Sequence, residues 1–258
     1  MLPTDFLRPC ATEIIRGAEL QAYPLTAWFN ARPVTIDPEK YPFRNLAIGK
    51  LNQLCWIPDF DLVKDCSVIG CHDIWPIYKD DKGNVSVLLA FRKEPSDPLT
   101  YEEDVGLPHT AVMNGFWWPV GGRIRRIPNN HPDYPDFDWV DSSIAKIREE
   151  IGLPVDTISD IFVLGSGQTR FTEDMIYTWL DPATGTTWQQ EIKVANGLDS
   201  FNKNYAMFLR RKPLDSELQL NSSIGGLLWR SADDFIVHEQ IFCPYVKDFL
   251  RVIFSQTT

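Results

Sequence analysis

Apolar positions in this chain change their spacing in a way that predicts strands through its middle and helices between and after them. Residues 67–78 mix apolar and polar types compatible with a strand. Asp80-Asp81-Lys82-Gly83-Asn84 is a strong turn, and Val85–Arg92 (VSVLLAFR) is a short, largely apolar strand. A second apolar run, 116–120, delivers the chain to Gly121-Gly122-Arg123. Further on the period lengthens. Ile144, Ile147 and Ile151 fall at i, i+3 and i+7, Asp141 and Ser142 are N-cap types, and Gly152 with Pro154 stops the helix. Residues 161–165, 176–180 and 204–210 read as strands, with a polar hairpin or insertion over 181–203. A strand carrying Trp229 follows, then a helix capped by Ser231. Pro244 opens a last helix with Val246, Phe249, Leu250 and Ile253 on its apolar face. Before all this, residues 1–65 are broken by prolines. Only 12–23 suggests a short amphipathic helix. This part is expected to wrap the main unit, residues 66–258, or to mediate a homodimer.

Composition narrows the class without identifying it. With 258 residues, 44% hydrophobic and 23% charged, the chain suits one large globular domain or a domain with an extension. A net charge of −10 argues against a general nucleic-acid binder, because duplex affinity rests on neutralising phosphates. The first residues lack a secretory pattern and no apolar run reaches membrane-spanning length, so no membrane partner is expected and the cytoplasm is the expected location. Five cysteines without a CxxC pair read as reduced, buried thiols, and Cys71-His72 lacks further metal partners.

The chemistry concentrates in 115–153. On the helix, Lys146 and Glu150 are about 40° apart around the axis and side by side, with Glu149 next to them. The expectation is two carboxylates and an ammonium on a face turned away from the helix's own core. A Gly-Gly pair after an apolar strand, then a loop, then a helix closing in Glu-Glu-x-Gly, resembles the box of the Nudix hydrolase superfamily. The segment WWPVGGRI is most similar to the GDP-mannose mannosyl hydrolase branch. The resemblance covers roughly residues 66 to 255. It implies an α+β fold, a mixed curved sheet sandwiched by helices, with residues 1–65 as an N-terminal extension.

The resemblance also implies a site. Magnesium or manganese would be held by the Gly122 carbonyl, Glu149 and Glu150. Arg92 and Arg123 would meet the diphosphate of a nucleotide ligand, with Lys146 as a further ligand-binding cation, and Glu149, Glu173 or Asp174 would do acid–base work on water. The implied reaction is hydrolysis of a nucleoside diphosphate linked to another group, an NDP-sugar among the candidates. The sequence departs from the pattern at Ala145 and Lys146, where Arg-Glu is expected, and at Pro128, where a Glu is expected. Ser223 and Ile224 stand where the mannosyl hydrolase branch has a metal-binding Gln and a His base. Lys146 leaves three readings open: one ion held beside it, an ammonium that pairs with Glu150 in the ion's place, or an ordinary i,i+4 salt bridge. The second reading gives a Nudix-fold protein that binds a nucleotide or other ligand without turning it over. The loop 129–140, with His131, Asp133, Asp136 and Asp138, reads as a solvated insertion, a substitute metal carboxylate being the alternative.

Overall fold

The computed structural model describes residues 18–25, 32–41, 43–48, 68–93, 115–123, 138–171, 175–180, 187–192, 199–221 and 223–257. Its strands are β1 (Ala18–Pro24), β2 (Val34–Thr35), β3 (Val68–Lys79), β4 (Val85–Arg92), β5 (Trp117–Trp118) and β6 (Val120–Arg123). They continue with β7 (Ile158–Phe171), β8 (Met175–Leu180), β9 (Thr187–Ile192), β10 (Asp199–Leu209) and β11 (Ile224–Ser231). The helices are α1 (Trp139–Ile151), α2 (Ala232–His238) and α3 (Pro244–Thr257).

Nine strands form one mixed sheet in the order β1-β7-β10-β3-β4-β11, with β2 on β7, β5 on β4 and β6 on β3. β10 and β3 run parallel, the other pairs antiparallel, and β8–β9 form a separate hairpin. Period-two alternation sends side chains to two cores. Ile74, Leu88, Ala90, Val120, Tyr205 and Met207 meet α1 through Ile144, Ile147 and Ile151. Trp75, Ile77, Val87, Leu89 and Ala206 meet α3 through Tyr245, Val246, Phe249, Leu250 and Ile253. The expected α+β arrangement, a mixed sheet between helices, is therefore the observed one.

β3 and β4 pair only beside their turn, at 77–79 against 85–87. Beyond that point the 117–123 segment takes over, β5 hydrogen-bonded to β4 and β6 to β3. The two glycines thus sit inside the sheet, under α1.

Three expectations need correcting. The helix expected over 12–23 is a strand where it is described: exposure alternates from Glu19 to Leu25, and all seven residues of β1 register against β7. Strand pairing decides this, since short propensity signals yield to tertiary context. Helix α1 begins earlier than Asp141. Asp138 is the N-cap, accepting from the Val140 and Asp141 backbone N–H groups, and Asp141 reaches back to the Asp138 N–H. Strands β7 and β10 also extend well beyond 161–165 and 204–210, because their mutual pairing lengthens both. Val85–Arg92, the Ser231 cap and the α3 apolar face are as expected. The described part of residues 1–65 supplies β1, β2, and Ile36, Tyr41 and Phe43 for the α1-side core. Arg148 fastens it by donating to the Phe43 and Leu46 carbonyls. Among the described residues no helix is long and apolar enough to cross a membrane.

Candidate functional site

Helix α1 is held at both ends, which fixes the stretch between. Its C-terminal carbonyls, otherwise orphaned, accept from the loop before β11: Gln219 N–H to Ile151 O at 2.9 Å and Asn221 N–H to Glu150 O at 2.9 Å. Gly152 ends the helix at φ 68°, and a Cβ there would stand 2.6 Å from the Gln219 nitrogen. Both the left-handed turn and the close approach require glycine.

Between these anchors Lys146, Glu149 and Glu150 face the sheet. They are 4%, 8% and 5% exposed, and Arg92 from the end of β4 is 5% exposed. The expected outward-looking face is thus an inward one. The helix core and the charged trio lie on adjoining sides because β6 and Arg92 reach under α1. Lys146 Nζ lies 3.0 Å from Glu150 Oε1 and 3.2 Å from Glu149 Oε2. Arg92 Nη1 donates to Glu150 Oε2 at 2.7 Å and to Ser223 Oγ at 3.4 Å, and its Nη2 donates to the Gly121 carbonyl. Burial alone would raise the Glu150 pKa, but Arg92 and Lys146 outweigh it and hold the carboxyl at about 2. Among the described residues two cations face two carboxylates, so the formal charges of these four side chains cancel.

The glycines serve this cluster. A Cβ on Gly121 would fall 1.9 Å from the His72 carbonyl oxygen, and one on Gly122 would fall 2.7 Å from Lys146 Cε and 3.0 Å from Nζ. The close approach that the glycines permit is made here by the chain's own carbonyl and ammonium.

The oxygens that the described residues offer here are too few, taken alone, for a divalent ion. Such an ion needs about six hard oxygens. Both oxygens of Glu150 and one of Glu149 already contact ammonium or guanidinium. No group of three or more His, Cys, Asp or Glu able to hold a metal occurs among the described residues.

Gly122, Lys146, Glu149, Glu150 and Arg92 are therefore brought together. Arg123 closes β6 opposite Cys71, but its side chain lies outside the described residues, as do Glu173, Asp174 and the loop carrying His131, Asp133 and Asp136. Ser223, read as a lost ligand, instead supports Arg92, its hydroxyl also donating to Asn221 Oδ1 at 2.7 Å.

Two buried polar groups beside the cluster have partners that no sequence pattern announces. His72 lies between two α1 hydroxyls, Ser142 Oγ 3.3 Å from Nε2 and Ser143 Oγ 3.2 Å from Nδ1. Ser143 donates to the Trp139 carbonyl, so it accepts from Nδ1–H and leaves Nε2 as the acceptor. Burial, then Lys203 and Lys146, lower the imidazole pKa to about 3, so His72 is neutral. On the opposite face Asp73 accepts from Tyr245 OH at 2.7 Å, Asn202 Nδ2 at 2.9 Å and Trp118 Nε1 at 3.1 Å. Burial raises its pKa against the pull of these donors. The signal was an aspartate two residues before Trp75 and four before Ile77, hence on their inward face of β3.

No family model matches the sequence, and no curated protein matches it. Solved structures similar to the chain include the NUDIX domain of Shewanella oneidensis NrtR complexed with ADP ribose. That likeness has 11% identity over 78% of this chain and 100% of that one, with a TM-score of 0.39. A C. elegans Ap4A hydrolase binary complex is 13% identical over 73% and 96%, with a TM-score of 0.38. A NUDIX hydrolase from Nitrosomonas europaea is 13% identical over 73% and 90%, with a TM-score of 0.34. Superposition this loose says nothing about the reaction.

Proposed function

We propose that this chain is a Nudix-like ligand-binding protein in which the Lys146 ammonium stands where the resemblance would put a divalent ion, and that it does not hydrolyse its ligand there. One observation carries this reading: Lys146 bridges Glu149 and Glu150 from 3.2 and 3.0 Å while Arg92 takes the remaining Glu150 oxygen. Separating such pairs to admit an ion would cost several kcal/mol, on the order of 3–5 for a buried bridge. The neutral cluster also lacks the excess positive charge that polarises a phosphoryl group during hydrolysis.

A second reading remains: magnesium- or manganese-assisted hydrolysis of a nucleoside diphosphate linked to another group, such as an NDP-sugar. The gathering of Gly122, Glu149 and Glu150 under one helix favours it. Thermal-shift and product assays with ADP-ribose and GDP-mannose, with and without magnesium, separate the two. Ligand stabilisation indifferent to magnesium, with no product released, supports binding. Magnesium-dependent product release that collapses in Glu150→Gln replaces it with the hydrolase.

A further inference from the structure

A row of residues crosses the α1 face of the sheet: Tyr23 opposite Ser166, Ser166 opposite Lys203, Lys203 opposite His72, and His72 opposite Gly122. Helix α1 covers the His72–Gly122 end. The other end, over β7, β1 and β2, is uncovered by it. There Tyr23, Leu25, Val34 and Val163 are between 38% and 51% exposed, four of the eight large hydrophobic residues exposed among the described residues. All four belong to one face. Val34 registers with Ile161 and Val163 with Tyr205, both partners lying in or beside the α1-side core. Tyr23 and Leu25 alternate with Leu20 and Ala22, which pack on the α3 side.

Lys203 stands where this apolar area meets a stack of rings. Trp139 lies on Tyr205 at 4.9 Å and 14°, and His72 also contacts the Tyr205 ring, tilted, at 5.2 Å. Trp139 is only half-buried. Lys203 is exposed, and its ammonium makes no ion pair or hydrogen bond among the described residues. His72 is neutral and the Lys146–Arg92–Glu149–Glu150 cluster sums to zero, so Lys203 is the uncompensated charge of the row.

We infer that the half of the sheet face beyond α1 binds an aromatic anion, its acid group on Lys203 and its ring against Trp139 and Val163. An apolar area next to stacked rings, with one convergent cation, has the character of a small-ligand site. The chain's net charge of −10 favours a small acid over a polyanion, which the rest of the surface repels. The inference deepens the binding reading above by placing the ligand beside the cation-filled cluster instead of on it.

Titration calorimetry of the full chain tests it with two probes sharing this chemistry, AMP and indole-3-acetate, and with adenosine as the uncharged control. Binding of either acid is expected to weaken about tenfold in Lys203→Gln, the loss of one charge-assisted contact, and to survive in Lys203→Arg. Val163→Asp, an exposed substitution, should weaken it as well, and adenosine should bind worse than AMP. Which acid binds identifies the source of the ligand. Equal affinity in wild type, Lys203→Gln and Val163→Asp overturns the site while leaving a binding protein. Failure of both acids to bind overturns it too. Magnesium-dependent turnover would overturn only the reading of the cluster, because the Lys203 comparison does not involve Glu149 or Glu150.

Discussion

Replacing Lys146 by methionine keeps the length of the side chain and removes its charge, leaving two buried carboxylates without the ammonium that bridges them at 3.0 and 3.2 Å. An exposed i,i+4 pair contributes about 0.3–0.5 kcal/mol. Removing one partner of a buried pair costs about 3–5 kcal/mol, because the remaining charge has been taken out of water and loses its compensation. With Lys146 only 4% exposed, the larger figure applies. At roughly 2–4 °C of melting temperature per kcal/mol for a domain of this size, the expected fall is about 6–20 °C. Urea unfolding at neutral pH would measure it. A companion variant, Lys146→Glu, puts a third carboxylate in the cluster. It should be less stable still without metal, and should recover about 2.7 kcal/mol when magnesium reaches a hundredfold excess over its dissociation constant. Wild type should not respond to the ion. A loss below about 0.5 kcal/mol in Lys146→Met would reduce the cluster to an ordinary helix salt bridge. Wild-type stabilisation by magnesium at these carboxylates would refute the idea that the ammonium fills the cation's place.

The glycines and the buried ionisable groups give two further expectations. Gly121→Ala should abolish folding or cost more than about 3 kcal/mol, since its Cβ meets backbone at 1.9 Å; Gly122→Ala should cost less, because its obstacle is the flexible end of Lys146. Equal melting temperatures for the two variants would contradict this. Three of the shifted groups carry acid-stability expectations of opposite sign. Glu150, held at about 2, contributes stability present above 4.5 and lost as pH falls towards 2; His72, held at about 3, contributes stability present above 6.5 and lost as pH falls towards 3. Asp141, raised by burial to about 6, acts oppositely, its contribution being lost as pH rises from 3.8 through 6. In Asp141→Asn the urea midpoint should therefore climb more steeply with pH between about 4 and 6 than in wild type, and an unchanged slope would remove Asp141 from this account.

The elements whose own side chains supply both pattern and punctuation were legible in the sequence. Val85–Arg92 follows a turn with Gly83 at φ 86°, and α3 starts at Pro244 with its apolar face in the expected places. The juxtaposition of Gly122 with Lys146, Glu149 and Glu150 was legible too, through a resemblance and the i, i+3, i+4 geometry of a helix. The segment at 18–24 was not. Its seven residues carry a strand only because β7 offers a partner, and no local signal announces a partner so distant in sequence. The roles of His72 and Asp73 are not legible for the same reason, since each is satisfied by residues from other elements.

The sequence by itself determined which residues could meet: helix periodicity sets Lys146 beside Glu149 and Glu150, and two glycines permit a strand to pass closely beneath. Only the tertiary structure decided what that meeting is. It buried all three side chains and brought Arg92 across from β4 to the free oxygen of Glu150, turning an apparent solvent-facing acidic end into a compensated interior one. The physical reason is that charge compensation depends on burial and on contacts between elements far apart in sequence. A helix's own repeat encodes neither.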